Sequence, residues 1–171
     1  LLSLGTNMGH KLENLETCIM AIHNTIATVV EVSKVYETPA WGFEGDVFYN
    51  CAITIHSHKS AQKILNKVIQ LEKKLGRTRT NAEQYESRCI DIDIISFNDE
   101  IIETENLKIP HIQLQNRKFV LFPMNDIAPK WKHPKLNKTI SELLNSCVDT
   151  SEIKEIGTLQ NPTLFLGLKQ L

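Results

Sequence analysis

An α+β fold, with two long helices laid on one face of an antiparallel sheet, is predicted by three features of the sequence. Two stretches repeat apolar residues at helical spacing. Four short stretches are β-branched or alternate between apolar and polar. Their order along the chain is β-α-β-β-α-β, the split-βαβ, ferredoxin-like arrangement. The 171 residues suit one domain over residues 1–150, with residues 151–171 as a tail docked on it.

Each element has its own local reason. Leu1 to Leu4 form a short apolar strand, closed by Gly5-Thr6-Asn7. Leu12, Leu15, Ile19, Ile22 and Ile26 recur on one helical face, so residues 10–27 form an amphipathic helix. Val29 to Tyr36 alternates as a second strand, and Pro39, Gly42 and Gly45 break the loop that follows. Phe48 to Ile55 is a third strand, with Tyr49, Cys51, Ile53 and Ile55 on one face and Phe48, Asn50, Ala52 and Thr54 on the other. Ser60 caps a second helix and Gly76 stops it. Its stripe is Ala61, Ile64, Leu65, Val68, Leu71 and Leu75, and Glu72 falls inside the stripe as a partly exposed carboxylate near the helix end.

Residues 77–87 lack apolar periodicity and read as a polar loop. A fourth strand follows, then a small hairpin from Ile101-Ile102 and Leu107-Lys108-Ile109. Short helices near 117–122 and 139–147 are separated by Pro123, Pro129 and Pro134, and Thr163 to Leu166 is a candidate added strand. Lys130-Trp131-Lys132-His133 reads as a wet surface turn.

Bulk properties exclude several function classes. The net charge is −1 and the sequence pI is near 6.7, so no basic field invites nucleic acid. No apolar run is long enough to span a bilayer, which gives no membrane partner. The N-terminal apolar run is too short for a signal-peptide core, and the absence of an initial Met implies a few residues before the first strand. Four scattered cysteines without paired spacing suggest reduced thiols and a cytoplasmic location.

The stretch that carries chemistry is Arg88-Cys89-Ile90-Asp91-Ile92-Asp93-Ile94-Ile95. On a strand, Ile90, Ile92 and Ile94 face one way, and Asp91 and Asp93 the other. The two aspartates then sit roughly 6.6 Å apart. At an effective dielectric near 20 they repel by about 2–3 kcal/mol. A divalent cation reverses that sign, so the pair with Arg88 upstream suggests a Mg²⁺–phosphate site. If both helices pack on the isoleucine side, the opposite face carries Phe48, Asn50, Asp91 and Asp93 together.

Eight segments in order resemble the 6-hydroxymethyl-7,8-dihydropterin pyrophosphokinase family of the folate pathway. They are Leu4-Gly5-Thr6-Asn7, Tyr36-Glu37-Thr38-Pro39, Phe48-Tyr49-Asn50, Leu75-Gly76-Arg77-Thr78-Arg79, Arg88 to Asp93, Ile109-Pro110-His111, Asn116-Arg117-Lys118-Phe119 and Ile127-Ala128-Pro129. The resemblance implies transfer of pyrophosphate from ATP to the pterin hydroxymethyl group, releasing AMP. It implies two Mg²⁺ ions on Asp91 and Asp93, with Arg77 and Arg88 following the transferred phosphates. It places Glu72, Arg79, Tyr85, Ile94, His111, Ile112 and Arg117 at the nucleotide. It places Thr38, Pro39, Trp41, Phe48, Asn50 and Phe119 at the pterin, with the ring between Phe48 and Phe119. The loops that carry Trp41 and Arg77 are expected to act as lids. A monomer is expected, with ATP and the pterin as its only partners. The chain departs from the family at Tyr85-Glu86-Ser87, where Trp-Gly-Pro is common and one residue is extra, and at Asn106, where a basic residue can stand.

Two other classes compete with that reading. A ferredoxin-like RNA-binding module stacks bases on sheet aromatics, but the acidic pair and the missing basic stripe oppose it. A two-metal phosphodiesterase or nuclease needs a water nucleophile and more carboxylates than this strand supplies.

Overall fold

Every strand of the main sheet is antiparallel to its neighbours. The computed structural model describes residues 1–40, 44–77 and 87–160. In chain order the core elements are β1 (Leu2–Thr6), α1 (Lys11–Thr25), β2 (Thr28–Val32), β3 (Val35–Thr38), β4 (Phe48–His56), α2 (Ala61–Lys74) and β5 (Asp91–Ile94). After these come β6 (Ile102–Glu103), β7 (Lys108–Ile109), α3 (Lys118–Ile127), α4 (Ile140–Asn145) and β8 (Lys154–Gly157). The sheet order is β5-β1-β4-β3-β8, and β2 also pairs with β4. This is the predicted ferredoxin-like α+β core, with β6 and β7 as the predicted hairpin.

The predicted second strand is two strands. Ser33 causes the break: its hydroxyl accepts from the Ala52 N–H at 2.8 Å and donates to the Lys34 carbonyl at 2.7 Å. A side chain thus takes a ladder position, and the strand bends into β2 and β3. The first strand, by contrast, does not stop at Gly5. It runs to Thr6 because β1 is central, with Gly5 paired to Asn50 on one side and Asp91 on the other. Two neighbouring ladders override the breaker tendency of a single glycine.

Alternation divides the sheet into two faces. Leu2, Leu4, Cys51, Ile53, Ile92 and Ile94 point into a core shared with α1 and α2. Leu15, Cys18, Ile19 and Ile22 supply α1's buried stripe, while Leu12 is 42% exposed and Cys18 takes its place. Ala61, Ile64, Val68 and Leu71 supply that of α2, whose N-terminus is capped as predicted by the Ser60 hydroxyl. Gly76 leaves the helix at φ +93°, a conformation open to glycine.

A second core lies on the opposite face. Ala52 and Ile95 meet Leu114, Val120, Leu121 and Met124, with Ile140 and Leu143 outside them. Helix α3 continues through Pro123 to Ile127, past the boundary predicted there. Pro123 is itself buried, so packing on this face offsets the missing N–H. The 130–133 turn also differs from expectation. His133 is buried, its Nδ1 accepts from the Lys135 and Leu136 N–H groups, and Trp131 packs on the second core. The sequence pattern predicts no strand near residue 154, yet β8 extends the sheet beyond β3.

Among the described residues, helices α3 and α4 cover only part of this second face, and Gly5, Asn50, Asp91 and Asp93 line a cavity on the rest. Helix α3 is pinned to β3 by Asp126, which accepts from the Tyr36 hydroxyl at 3.0 Å on each oxygen and from the Lys34 N–H at 3.1 Å. Hydrogen bonds to a charged group contribute about 1.5–3 kcal/mol. Asp126→Ala is therefore expected to lower the unfolding free energy by about 2 kcal/mol, read as a shift of the urea midpoint with an unchanged slope.

Candidate active site

The uncovered sheet face is the floor of a cavity of about 360 Å³. Asn50 of β4, Gly5 of β1 and Asp91 of β5 lie in one cross-strand row. Thr38, Pro39 and Phe48 line one end, and Arg77, Arg88, Asp91 and Asp93 the other. His111, Ile112, Gln113, Arg117 and Phe119 form the wall contributed by the segment leading into α3. A second cavity, of about 400 Å³, shares Arg77, Asp91, Asp93, His111 and Ile112 with the first. It extends past Glu72, Ile92, Ile94 and the hairpin residues Asn106 to Lys108. The carboxylates thus stand where two chambers meet.

Charge at that junction is closely paired. Arg77 donates to Asp91 Oδ1 at 2.5 Å and also to Glu72 Oε1, and Arg88 donates to Asp91 Oδ2. Glu72 is only 2% exposed, unlike the partly exposed carboxylate expected from sequence. Its Oε1 accepts from the Ile92 N–H at 2.9 Å, on the edge of β5 that no strand covers among the described residues. This is why a charge sits in α2's apolar stripe: it satisfies a buried edge N–H and an arginine together. Arg88 is held through its backbone, whose N–H donates to Asn7 Oδ1 at 2.7 Å while its carbonyl accepts from the Asn7 N–H at 3.1 Å.

Asp93 is under electrostatic tension. Burial, then the nearby Asp91 and Glu72 charges, push its carboxyl up to about 7, against the pull of Arg117 and Arg77. Folding therefore favours its protonated form. That contribution to stability is complete below the ordinary carboxylate range and is lost as pH rises through about 7. The Tm of the metal-free protein is expected to carry a downward component between about pH 4 and pH 7. Asp93→Asn should flatten it, as differential scanning fluorimetry across that range would show.

The aromatic end is ordered differently. Asn50 is buried, and its Nδ2 donates to Thr38 Oγ1 at 2.9 Å and to the Tyr36 carbonyl at 3.5 Å. The amide is thereby oriented with Oδ1 toward Gly5. Phe48 and Phe119 are half-buried, and the Arg117 guanidinium lies 5.6 Å from the Phe119 ring centre. His111 is held below its ordinary pKa by burial and then by Arg117. Its Nδ1 accepts from the Gln113 N–H at 3.2 Å, so it presents a neutral imidazole.

Twelve of the residues singled out in the sequence line the first chamber: Arg77, Arg88, Asp91, Asp93, His111, Ile112, Arg117, Thr38, Pro39, Phe48, Asn50 and Phe119. Glu72 and Ile94 line the second. Trp41, Arg79 and Tyr85 lie outside the described residues. Sequence reasoning missed Gly5 and Gln113. Gly5 carried one usable signal, its place in the Leu4-Gly5-Thr6-Asn7 segment of the family resemblance. Among the described residues no three His, Cys, Asp or Glu side chains gather as a metal cluster. Two carboxylates facing an open chamber suit Mg²⁺, which keeps several waters and takes phosphate oxygens for its remaining ligands.

Comparison with known proteins finds relatives over most of the chain. The sequence profile described as 7,8-dihydro-6-hydroxymethylpterin-pyrophosphokinase matches residues 1–129. A 2-amino-4-hydroxy-6-hydroxymethyldihydropteridine pyrophosphokinase from Porphyromonas gingivalis is 35% identical over 136 residues, 78% of this chain and 92% of that protein. The folic acid synthesis protein FOL1 of Dictyostelium discoideum is 36% identical over 143 residues, 83% of this chain and 21% of that protein. The chain thus spans about a fifth of that longer relative. Plasmodium falciparum HPPK-DHPS, crystallised with pteroate, shares the fold at a TM-score of 0.67 and 20% identity, over 84% of this chain and 41% of that one. From the profile match and the identity to its relatives, the chain belongs to the 7,8-dihydro-6-hydroxymethylpterin-pyrophosphokinase family.

Proposed function

We propose that this chain transfers the β,γ-pyrophosphoryl group of ATP to the hydroxymethyl oxygen of 6-hydroxymethyl-7,8-dihydropterin, giving AMP and the pterin diphosphate. One observation carries the reading: an aromatic and amide pocket and an acid and arginine cluster share one sheet face and one cavity. Membership of the family supports the substrate pair.

The pterin lies between Phe48 and Phe119, where offset stacking contributes about 0.5–1.5 kcal/mol beyond burial. Asn50, with Thr38, Pro39 and Trp41, satisfies its polar edge. ATP occupies the second chamber, along the open edge of β5, beside Glu72, Ile94, His111, Ile112 and Arg117, with Arg79 and Tyr85 added from the 78–86 segment. The triphosphate then ends at the junction, within reach of both the pterin hydroxyl and the arginines. Asp91 and Asp93 would hold two Mg²⁺, which would neutralise phosphate charge.

In the transfer, the pterin oxygen forms a bond to the β-phosphorus, the bond between that phosphorus and the α,β-bridging oxygen breaks, and the hydroxyl proton is released. The nucleophile comes from the substrate, so the protein's contribution is placement and charge stabilisation. Arg77 and Arg88 exchange their carboxylate partners for phosphate oxygens, to which a guanidinium fork pairs two at a time.

A monomer in the cytoplasm, with neither nucleic acid nor membrane as partner, belongs to the same proposal. All four cysteines are free, and among the described residues no helix is long and apolar enough to cross a membrane. The test is incubation with ATP, Mg²⁺ and the reduced hydroxymethylpterin. AMP and pterin diphosphate in equal amounts are expected; ADP or inorganic phosphate as the nucleotide-derived product would overturn the reading.

A further inference from the structure

Glycine inside a strand weakens it and marks either an unusual backbone angle or a close approach. Gly9, Gly76 and Gly157 have the first reason, with φ of +59°, +93° and +121°. Gly5 does not. It lies in the interior of β1, with Asn50 across one ladder and Asp91 across the other. Its φ lies outside the left-handed region, so the backbone angle alone does not call for glycine.

Space is what Gly5 provides. A Cβ there would lie 3.0 Å from Asn50 Oδ1 and 3.7 Å from Phe48 Cδ1. The first distance forces a shift of a few tenths of an ångström, and Asn50 is poorly placed to yield. Its Nδ2 is bound to Thr38 Oγ1 and to the Tyr36 carbonyl, which can only accept. Turning the amide over would set two acceptors against each other. Gly5 itself lines the cavity. Asn50 Oδ1 is thus a fixed acceptor, displayed over a bare stretch of strand.

We propose that Gly5 is a specificity-determining position: its missing side chain keeps the Asn50 acceptor and the Phe48 ring set for a flat heterocycle whose edge carries N–H donors. This rests on the pterin pocket proposed above. A site built around a hydrogen bond discriminates strongly once that bond is misaligned, because the buried polar group is left unpaired.

The test is Gly5→Ala, alone and combined with Asn50→Ala, with binding of the reduced hydroxymethylpterin measured by calorimetry beside Mg²⁺ and a non-hydrolysable ATP analogue. The single variant is expected to raise the pterin Kd about tenfold, the worth of one hydrogen bond. The Kd for the ATP analogue should be unchanged, and Tm should stay within about 3 °C of wild type. In the Asn50→Ala background the added methyl should change pterin Kd less than about twofold, since coupled sites lose their interaction when one partner is removed. Equal pterin affinity in Gly5→Ala and wild type would overturn the inference and leave the functional reading standing. So would a tenfold loss that persists without Asn50, which would mean that the methyl collides with the ligand and leaves the amide untouched. Wild-type protein that binds no pterin would overturn the functional reading, and the inference with it.

Discussion

Asp91→Asn is expected to lower kcat by about 10³-fold or more, measured as AMP release at saturating ATP, Mg²⁺ and pterin. Asp91 is where the charges of the site converge, with Arg77 on one oxygen and Arg88 on the other. In the proposed reaction the same two oxygens are needed for a cation, and the two guanidiniums are needed for phosphate. The asparagine keeps the size of the side chain and removes the charge that holds all three. Loss of a charge-stabilising contact of about 4 kcal/mol in the transition state corresponds to that thousandfold drop. The fold should survive, because Asp91 faces the cavity and is partly exposed, and such pairs contribute little to stability. Turnover at the wild-type rate would remove Asp91 from the metal and phosphate site.

Glu72→Ala is expected to have the largest effect on stability, a loss of about 3–5 kcal/mol in urea unfolding, as found when one partner of a buried ion pair is removed. Two groups would be left behind. The Ile92 N–H loses its acceptor on the free edge of β5, and Arg77 loses the partner that ties it to the end of α2. Glu72→Gln separates the two effects. Its amide oxygen can still accept from Ile92, so it should keep more of the stability while giving up the charge that pairs with Arg77. If Glu72→Ala unfolds at the wild-type midpoint, the carboxylate does not support β5, and the strand is held by its ladder to β1 and its isoleucines in the core.

What the sequence made legible follows from how local each cause is. The strand with Asp91 and Asp93 could be read because alternation is a property of neighbours, and its aspartates do share the cavity face. Helices α1 and α2 could be read because their apolar stripes are long. The continuation of β1 through Gly5 could not, since it depends on ladders to residues 50 and 91. The burial of Glu72 could not either, because its reason is an N–H group 20 residues away. Strand β8 was hidden by Lys154 and Glu155, which are charged and exposed at a sheet edge. Pro123 misled because helix ends are a local rule, and the second core outweighs it. Trp41, Arg79 and Tyr85 owe their proposed roles to family resemblance alone.

The position of β5 at the rim of the sheet leaves it little tolerance for error. One short strand serves three neighbourhoods at once: its isoleucines enter the core, its aspartates enter the cavity, and its outer edge meets Glu72. Slippage by one residue against β1 would exchange the first two, dropping carboxylates into oil and turning isoleucines toward phosphate. Losing or gaining a single residue between Arg88 and Ile95 should therefore be more damaging than most substitutions at either aspartate.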